Sequence, residues 1–306
     1  MPAARSTPPV PPNASRRLQK FRRAQHEGPR QMDTAIKRAI AALTFGADAQ
    51  RHFDLAADRI ARALLEVAIP AVDGVEVGLR AEPSRLVGGD YIDLFRSGQS
   101  GIVFGLGDAS GKSLAAALNA LMLRYLVRGL VTALGTSDLT VLVKHANTVV
   151  TQDVDNDSFI TFVCGELDPA AGTLRLVNAG HEPALVLRRD TAAVEVVESH
   201  GIVLGVDADA AYRQLEIAIE PGDTIVFYTD GLTEATNQRG ELYTIDRLCD
   251  DIVANRDAGA QALADSVFET VRTFAAGELR DDSTILVLRL TEKDSPNGQE
   301  SASVVG

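Results

Sequence analysis

The chain has 306 residues, 45% of them hydrophobic and 24% charged, ordinary values that argue against wholesale disorder and, by length, for about two domains. The net charge of −12 is uneven, because residues 1–40 carry nine Lys/Arg against Glu27 and Asp33, leaving 21 against 40 in the rest. An acidic body argues against a nucleic-acid-binding catalytic surface and favours a charge-compensating metal ion. No apolar run approaches the roughly 18 residues needed to cross a membrane, which argues against an integral membrane protein. Two cysteines, Cys164 and Cys249, are too few for a disulfide scaffold or a cysteine-rich zinc module. Cys164 stands in an apolar run and reads as a reduced, buried thiol.

Residues 1–31 are rich in Pro, Arg and Gln and offer nothing to a core, so a disordered arm is expected there. Arg16-Arg17 is followed by polar residues where an export signal needs an apolar region, and a cytoplasmic location is expected. Helical patterns cover Asp33–Leu43 and Ala49–Ala68, with Gly46 between them and Pro70 closing the second. In the latter, Phe53, Ala57, Ile60, Leu64 and Val67 recur at the a/d spacing of a helix–helix seam. That seam serves either a homodimer that sets catalytic activity or packing on its own domain. Residues 32–70 are therefore read as a helical linker and dimerisation segment, 71–290 as the catalytic domain, and 291–306 as a flexible tail.

From Gly74 the texture changes to strands, at Val75–Ala81, Tyr91–Arg96 and Gly101–Gly107. Two helices follow, about Ser113–Thr132 and Asp138–Gln152. Strands return at Ser158–Leu167, Thr173–Asn178, Ala184–Leu187, Val194–Val197, Gln214–Ile219 and Thr224–Tyr228. Helices at Ile245–Asn255 and Ala260–Ala275 precede a last strand, Ser283–Leu290. Strands in runs and helices in pairs predict an α+β sheet sandwich flanked by helices rather than alternating βαβ units.

Gly105 to Ser113 ends like a phosphate-binding loop, G-x-x-x-x-G-K-[ST]. The first glycine of that pattern falls on Leu106, so the loop geometry is lost by one residue. The stronger signal is a set of aspartates where apolar strands begin or end: Asp90 after Gly88-Gly89, Asp108 closing Ile102–Gly107, Asp230 after Ile225–Thr229, and Asp281-Asp282 before the last strand. Each alone reads as a turn or cap aspartate. Together they read as a carboxylate-lined site, whose hard oxygen ligands suit Mg²⁺ or Mn²⁺ rather than Zn²⁺.

The series Val87-Gly88-Gly89-Asp90-Tyr91-Ile92-Asp93, Gly107-Asp108-Ala109-Ser110-Gly111-Lys112, Asn178-Ala179-Gly180-His181, Pro221-Gly222-Asp223, Tyr228-Thr229-Asp230-Gly231-Leu232-Thr233-Glu234-Ala235 and Asp281-Asp282-Ser283-Thr284 resembles the bacterial SpoIIE/RsbU-type metal-dependent serine/threonine phosphatases, relatives of the type-2C enzymes. The resemblance spans about residues 50–290 in the family's order. It implies a four-layer α/β-β/α sandwich of two antiparallel sheets, with two Mn²⁺ or Mg²⁺ ions at one end. Carried over by position, Asp108 bridges both ions, Ala109 offers its backbone carbonyl, Asp230 and Asp281 complete one ion, and Asp90 serves the other. Asp282 is within reach as an alternative to Asp281. The resemblance further implies hydrolysis by an ion-activated water without a phosphoenzyme.

Some positions depart from the type-2C pattern. Ser110 stands where type-2C enzymes often place a histidine acid, so leaving-group protonation is expected from water. Arg85, five residues before Asp90, instead matches the phosphate-contacting arginine of type-2C enzymes, and is either that contact or a solvated or strand-edge arginine. His181 occupies the place of a third-metal aspartate and reads better as a structural loop histidine than as a ligand. The natural substrate implied is a phosphorylated anti-sigma-factor antagonist, a small STAS-domain protein. The segment before the catalytic block is too short and too helical or polar for a usual sensory domain, so control is expected from a separate regulatory protein, from oligomerisation, or not at all. A catalytically silent pseudophosphatase acting as a binding module is the alternative.

Overall fold

The computed structural model describes residues 51–292 except 53, 98–100, 137, 155–156 and 199. The expected arm, the first helical pattern, Phe53 and nearly all of the tail lie outside the described residues. A helix over residues 54–65, α1, leads into β1 (Val75–Glu82), β2 (Asp90–Ser97) and β3 (Gly101–Ala109). Helices α2 (Leu114–Leu134) and α3 (Leu139–Asp153) follow, then β4 (Ile160–Asp168), β5 (Thr173–Ala179), β6 (Ala184–Leu187), β7 (Val194–Val197), β8 (Gln214–Ala218) and β9 (Thr224–Tyr228). A one-turn helix α4 (Asp230–Thr233), α5 (Thr244–Ala254), α6 (Ala260–Phe274) and β10 (Ser283–Leu290) complete the order.

The strands form two five-stranded sheets, β1-β10-β9-β6-β7 and β2-β3-β4-β5-β8, with every neighbouring pair antiparallel. Alternation along each strand decides what meets what. Ile92 and Leu94, Phe104 and Leu106, and Val163 point from the second sheet into the gap between sheets, where Ile225, Phe227, Leu286 and Leu288 of the first meet them. The Phe104 and Phe227 rings stand 4.4 Å apart across it. The opposite faces bury Tyr91, Phe162 and Cys164 under α1–α3, and Val226, Ile285 and Val287 under α5 and α6. The result is the expected helix–sheet–sheet–helix sandwich.

Helix starts are chemically marked. Ser113 Oγ accepts from the Ala116 amide and Asp138 Oδ1 from the Thr140 amide, each satisfying a first-turn donor. Helix α1 ends at residue 65, earlier than the expected Ala68. In it Ala57 and Leu64 are buried against the core beneath α2 and α3, with Ile60 half-buried beside them. Helix α2 corrects the hydropathy expectation, since its 21 residues are long and apolar enough to cross a membrane by length and composition. It is instead a sandwich helix, burying Ala116, Ala117, Ala120, Leu123 and Val127 on the sheet side while also carrying Arg124 and Arg128.

Candidate metal centre

The strands that pack the inter-sheet layer end, on the same face, in polar residues. Two steps beyond Ile92 lies Asp90, two beyond Leu106 lies Asp108, and two before Val163 lies Thr161. On the facing sheet Phe227 leads to Thr229 and Leu286 back to Thr284. One end of the hydrophobic layer thus becomes a polar rim shared by both sheets. Register sets the row across it, with Asp90 opposite Asp108 and Asp108 opposite Thr161.

Asp90 is buried, and its Oδ2 accepts from Thr229 Oγ1 at 2.9 Å and Thr284 Oγ1 at 2.7 Å. Burial, then the neighbouring Asp282 charge, raises its pKa well above the usual carboxylate range, while the two hydroxyls oppose the rise. Asp108 is likewise raised by burial and then by Asp90, Asp230, Asp281 and Asp282. Asp230, the first residue of α4, is pushed up to about 7 by burial and by Asp281, Glu234 and Glu182, with Lys112 pulling the other way. Among the described residues the Asp108 and Asp230 carboxylates accept no hydrogen bond.

The aspartate pair before β10 divides by geometry. Both oxygens of the buried Asp282 are committed to the 84–89 loop: Oδ1 accepts from the Ser84 amide at 2.7 Å and Ser84 Oγ at 3.0 Å, and Oδ2 from the Gly89 amide at 2.7 Å. Asp281 is more open and pairs with Lys112 Nζ at 2.7 Å. The Gly88-Gly89 pair lets these groups close up, since a Cβ on Gly88 would lie 2.5 Å from Asp282 Oδ2 and one on Gly89 2.4 Å from the Ala109 carbonyl oxygen.

Several expected residues are occupied otherwise. Ser110 Oγ accepts from the Phe159 amide at 3.0 Å and so clasps the entry to β4. Arg85 is exposed on the loop before Asp90. Thr229, Thr284 and Lys112 carry roles that the sequence reading quoted inside motifs without assigning. Their signal was only their adjacency to the aspartates.

The donor set fits a hard divalent cation. It consists of carboxylates and a backbone carbonyl, two of the carboxylates are free of internal donors, and Asp90, Asp108 and Asp230 are held above the usual carboxylate range by burial and by acidic neighbours that a cation would neutralise. Among the described residues, however, no three such groups converge into a ready-made cage.

Known proteins share this family and fold. The family model for stage II sporulation protein E (SpoIIE) matches residues 98–291. The chain is 30% identical over 233 residues to the phosphoserine phosphatase RsbU of Bacillus subtilis (strain 168), covering 76% of this chain and 68% of that protein. The RsbU and RsbW domains of Rv1364c from Mycobacterium tuberculosis superpose with TM-score 0.64 at 24% identity, over 74% of this chain and 63% of that one. The SiaA-PP2C domain of Pseudomonas aeruginosa gives TM-score 0.65 at 21% identity, over 84% and 99%. The sandwich is therefore that of the PP2C-type phosphatases. The chain belongs to the SpoIIE family and is a serine/threonine protein phosphatase of the RsbU type.

Proposed function

We propose that the chain hydrolyses phosphoserine or phosphothreonine on a phosphorylated anti-sigma-factor antagonist, a STAS-domain protein, in a cytoplasmic partner-switching pathway. The observation that carries the catalytic part is the row Asp90–Asp108, faced by Asp230 and Asp281 at one end of the sandwich. Asp108 would bridge two Mn²⁺ or Mg²⁺ ions, Asp230 and Asp281 would complete one, and Asp90 and the Ala109 carbonyl would serve the other. Bound there, such ions supply Lewis-acid stabilisation of phosphate oxygens and a water acidic enough to attack near neutral pH.

The protein's own part is positioning. Thr229 and Thr284 hold Asp90 through Oδ2, and among the described residues no donor is bound to Oδ1. Asp282 holds the 84–89 loop against the strand end, which supports Asp281 rather than Asp282 as the ligand. Ser110 accepts from the Phe159 amide, and its hydroxyl is too weakly acidic to replace a histidine as general acid, in keeping with protonation of the leaving group from water. Ala57 and Leu64 of the α1 seam are buried within this chain, so among the described residues the exposed flank of the helix, including Leu55, is what it offers a second copy or a regulator.

The test is release of phosphate from a phosphoserine peptide and from a phosphorylated STAS protein, with Mn²⁺, with Mg²⁺ and with EDTA. Turnover with either ion and none with EDTA is expected. Equal turnover in metal-free protein would sink the mechanism. Binding of the STAS protein without turnover under any condition would favour the regulatory binding module instead.

A further inference from the structure

His181 sits in the turn after β5, buried, with its amide donating to Asn178 Oδ1 at 2.8 Å while Asn178 Nδ2 donates to the Glu182 carbonyl at 3.0 Å. That closed turn aims the imidazole into the polar rim, where Nδ1 lies 2.9 Å from Thr161 Oγ1. Thr161 is directly opposite Asp108 on the adjacent strand and shares its face, so the row across the sheet reads Asp90, Asp108, Thr161, and the His181 side chain reaches Thr161 from the turn beyond β5.

We propose that His181 is a positioning residue that draws the Thr161 hydroxyl hydrogen away from Asp108, keeping both oxygens of that carboxylate open to a cation. Burial holds the imidazole neutral, with its pKa lowered to about 4, so it carries one N–H. Nε2 is buried close to the Tyr228 backbone carbonyl without closing a well-formed hydrogen bond to it. A proton on Nε2 faces that carbonyl and leaves Nδ1 as the acceptor for the Thr161 O–H. A threonine hydroxyl with no such acceptor would turn to the nearest anion, and the cross-strand neighbour is Asp108. The absence of any hydrogen bond to Asp108 among the described residues is the state this arrangement preserves. The carboxylate would otherwise accept a charge-assisted bond that a metal ion must displace.

The inference rests on Asp108 being a metal ligand, and the experiment separates the two ideas. Mn²⁺ binding to the full chain is measured by calorimetry and by the half-activating concentration in the phosphatase assay. His181→Phe, which keeps ring volume and loses the acceptor, should weaken Mn²⁺ binding by roughly tenfold, the lower end of the effect of outer-shell changes. Adding Thr161→Val to it should restore affinity, and Thr161→Val alone should leave affinity near wild type. A double variant as weak as His181→Phe alone would reduce His181 to packing and overturn the proposal. If His181→Phe does not fold, Thr161→Val still decides, because a tenfold loss there would mean that the hydroxyl is needed by the site. Wild-type protein that binds no Mn²⁺, or Asp108→Asn binding it unchanged, would refute the metal reading itself.

Discussion

The Gly89 amide and Asp282 Oδ2 meet at 2.7 Å, fastening the loop that delivers Asp90 to the residue that opens onto β10. With the two Ser84 donors, one buried carboxylate satisfies three groups. Asp282→Ala should cost about 2–4 kcal/mol of folding stability, because it strands buried amides as well as losing the bonds. Asp281→Ala should leave the melting temperature within a degree or two, by the usual weight of exposed groups, and weaken Mn²⁺ binding instead. Thermal unfolding and metal titration of both variants check the division of labour; equal destabilisation by the two would contradict it.

Asp230 gives a pH signature. Its folded pKa of about 7 lies above the ordinary 3.8, so between those values the folded state holds a proton that the unfolded state has released. Its contribution to the stability of metal-free protein is therefore greatest at low pH and is lost as pH rises through about 7. Asp230→Asn in EDTA should melt above wild type by a margin that grows from about pH 5 to about pH 8 and then levels. A margin independent of pH would show that the carboxylate titrates normally.

Lys112 competes for Asp281. Its ammonium lies 2.7 Å from Oδ2 and also donates to the Arg280 carbonyl. Lys112→Met removes both the competitor and a positive charge near the carboxylates, so Mn²⁺ binding without substrate should tighten roughly two- to fivefold, the worth of a partly exposed pair. Weaker binding, read by calorimetry, would mean that the lysine holds Asp281 in its ligating pose.

Asp93 and Arg124 form a buried ion pair at 3.2 Å, with Arg128 Nη2 adding a second contact at 2.7 Å. Removing one partner leaves the other charge buried, so Asp93→Ala should cost about 3–5 kcal/mol. Arg124→Leu in the same chain should recover part of that in urea unfolding.

Much of the fold was legible because strands buried on both faces read as short, β-branched and aromatic apolar runs bounded by turn residues, as in Ile102–Leu106 and Thr224–Tyr228. The short helix at Asp230–Thr233 was not, because four residues carry too little periodicity to separate a helical turn from a tight turn. The aspartates were legible as a set through their places at strand ends. The separate duty of Asp282 was not, because adjacent identical side chains differ only in what the distant loop at residues 84–89 donates. Thr161 was invisible for a like reason, since its importance comes from register with Asp108 and not from any local pattern.

The Arg124 guanidinium also donates to the Ala63 carbonyl in α1, the helix whose Ala57 and Leu64 lie in the core. A protease should accordingly cut slowly within α1, whose backbone is pinned to the core. A version of the protein beginning at Ala71 would uncover the greasy underside of α2 and α3 and leave Arg124 short of an acceptor. Poor solubility of such a truncation would then report a missing piece of the core, whatever the oligomeric state of the full chain.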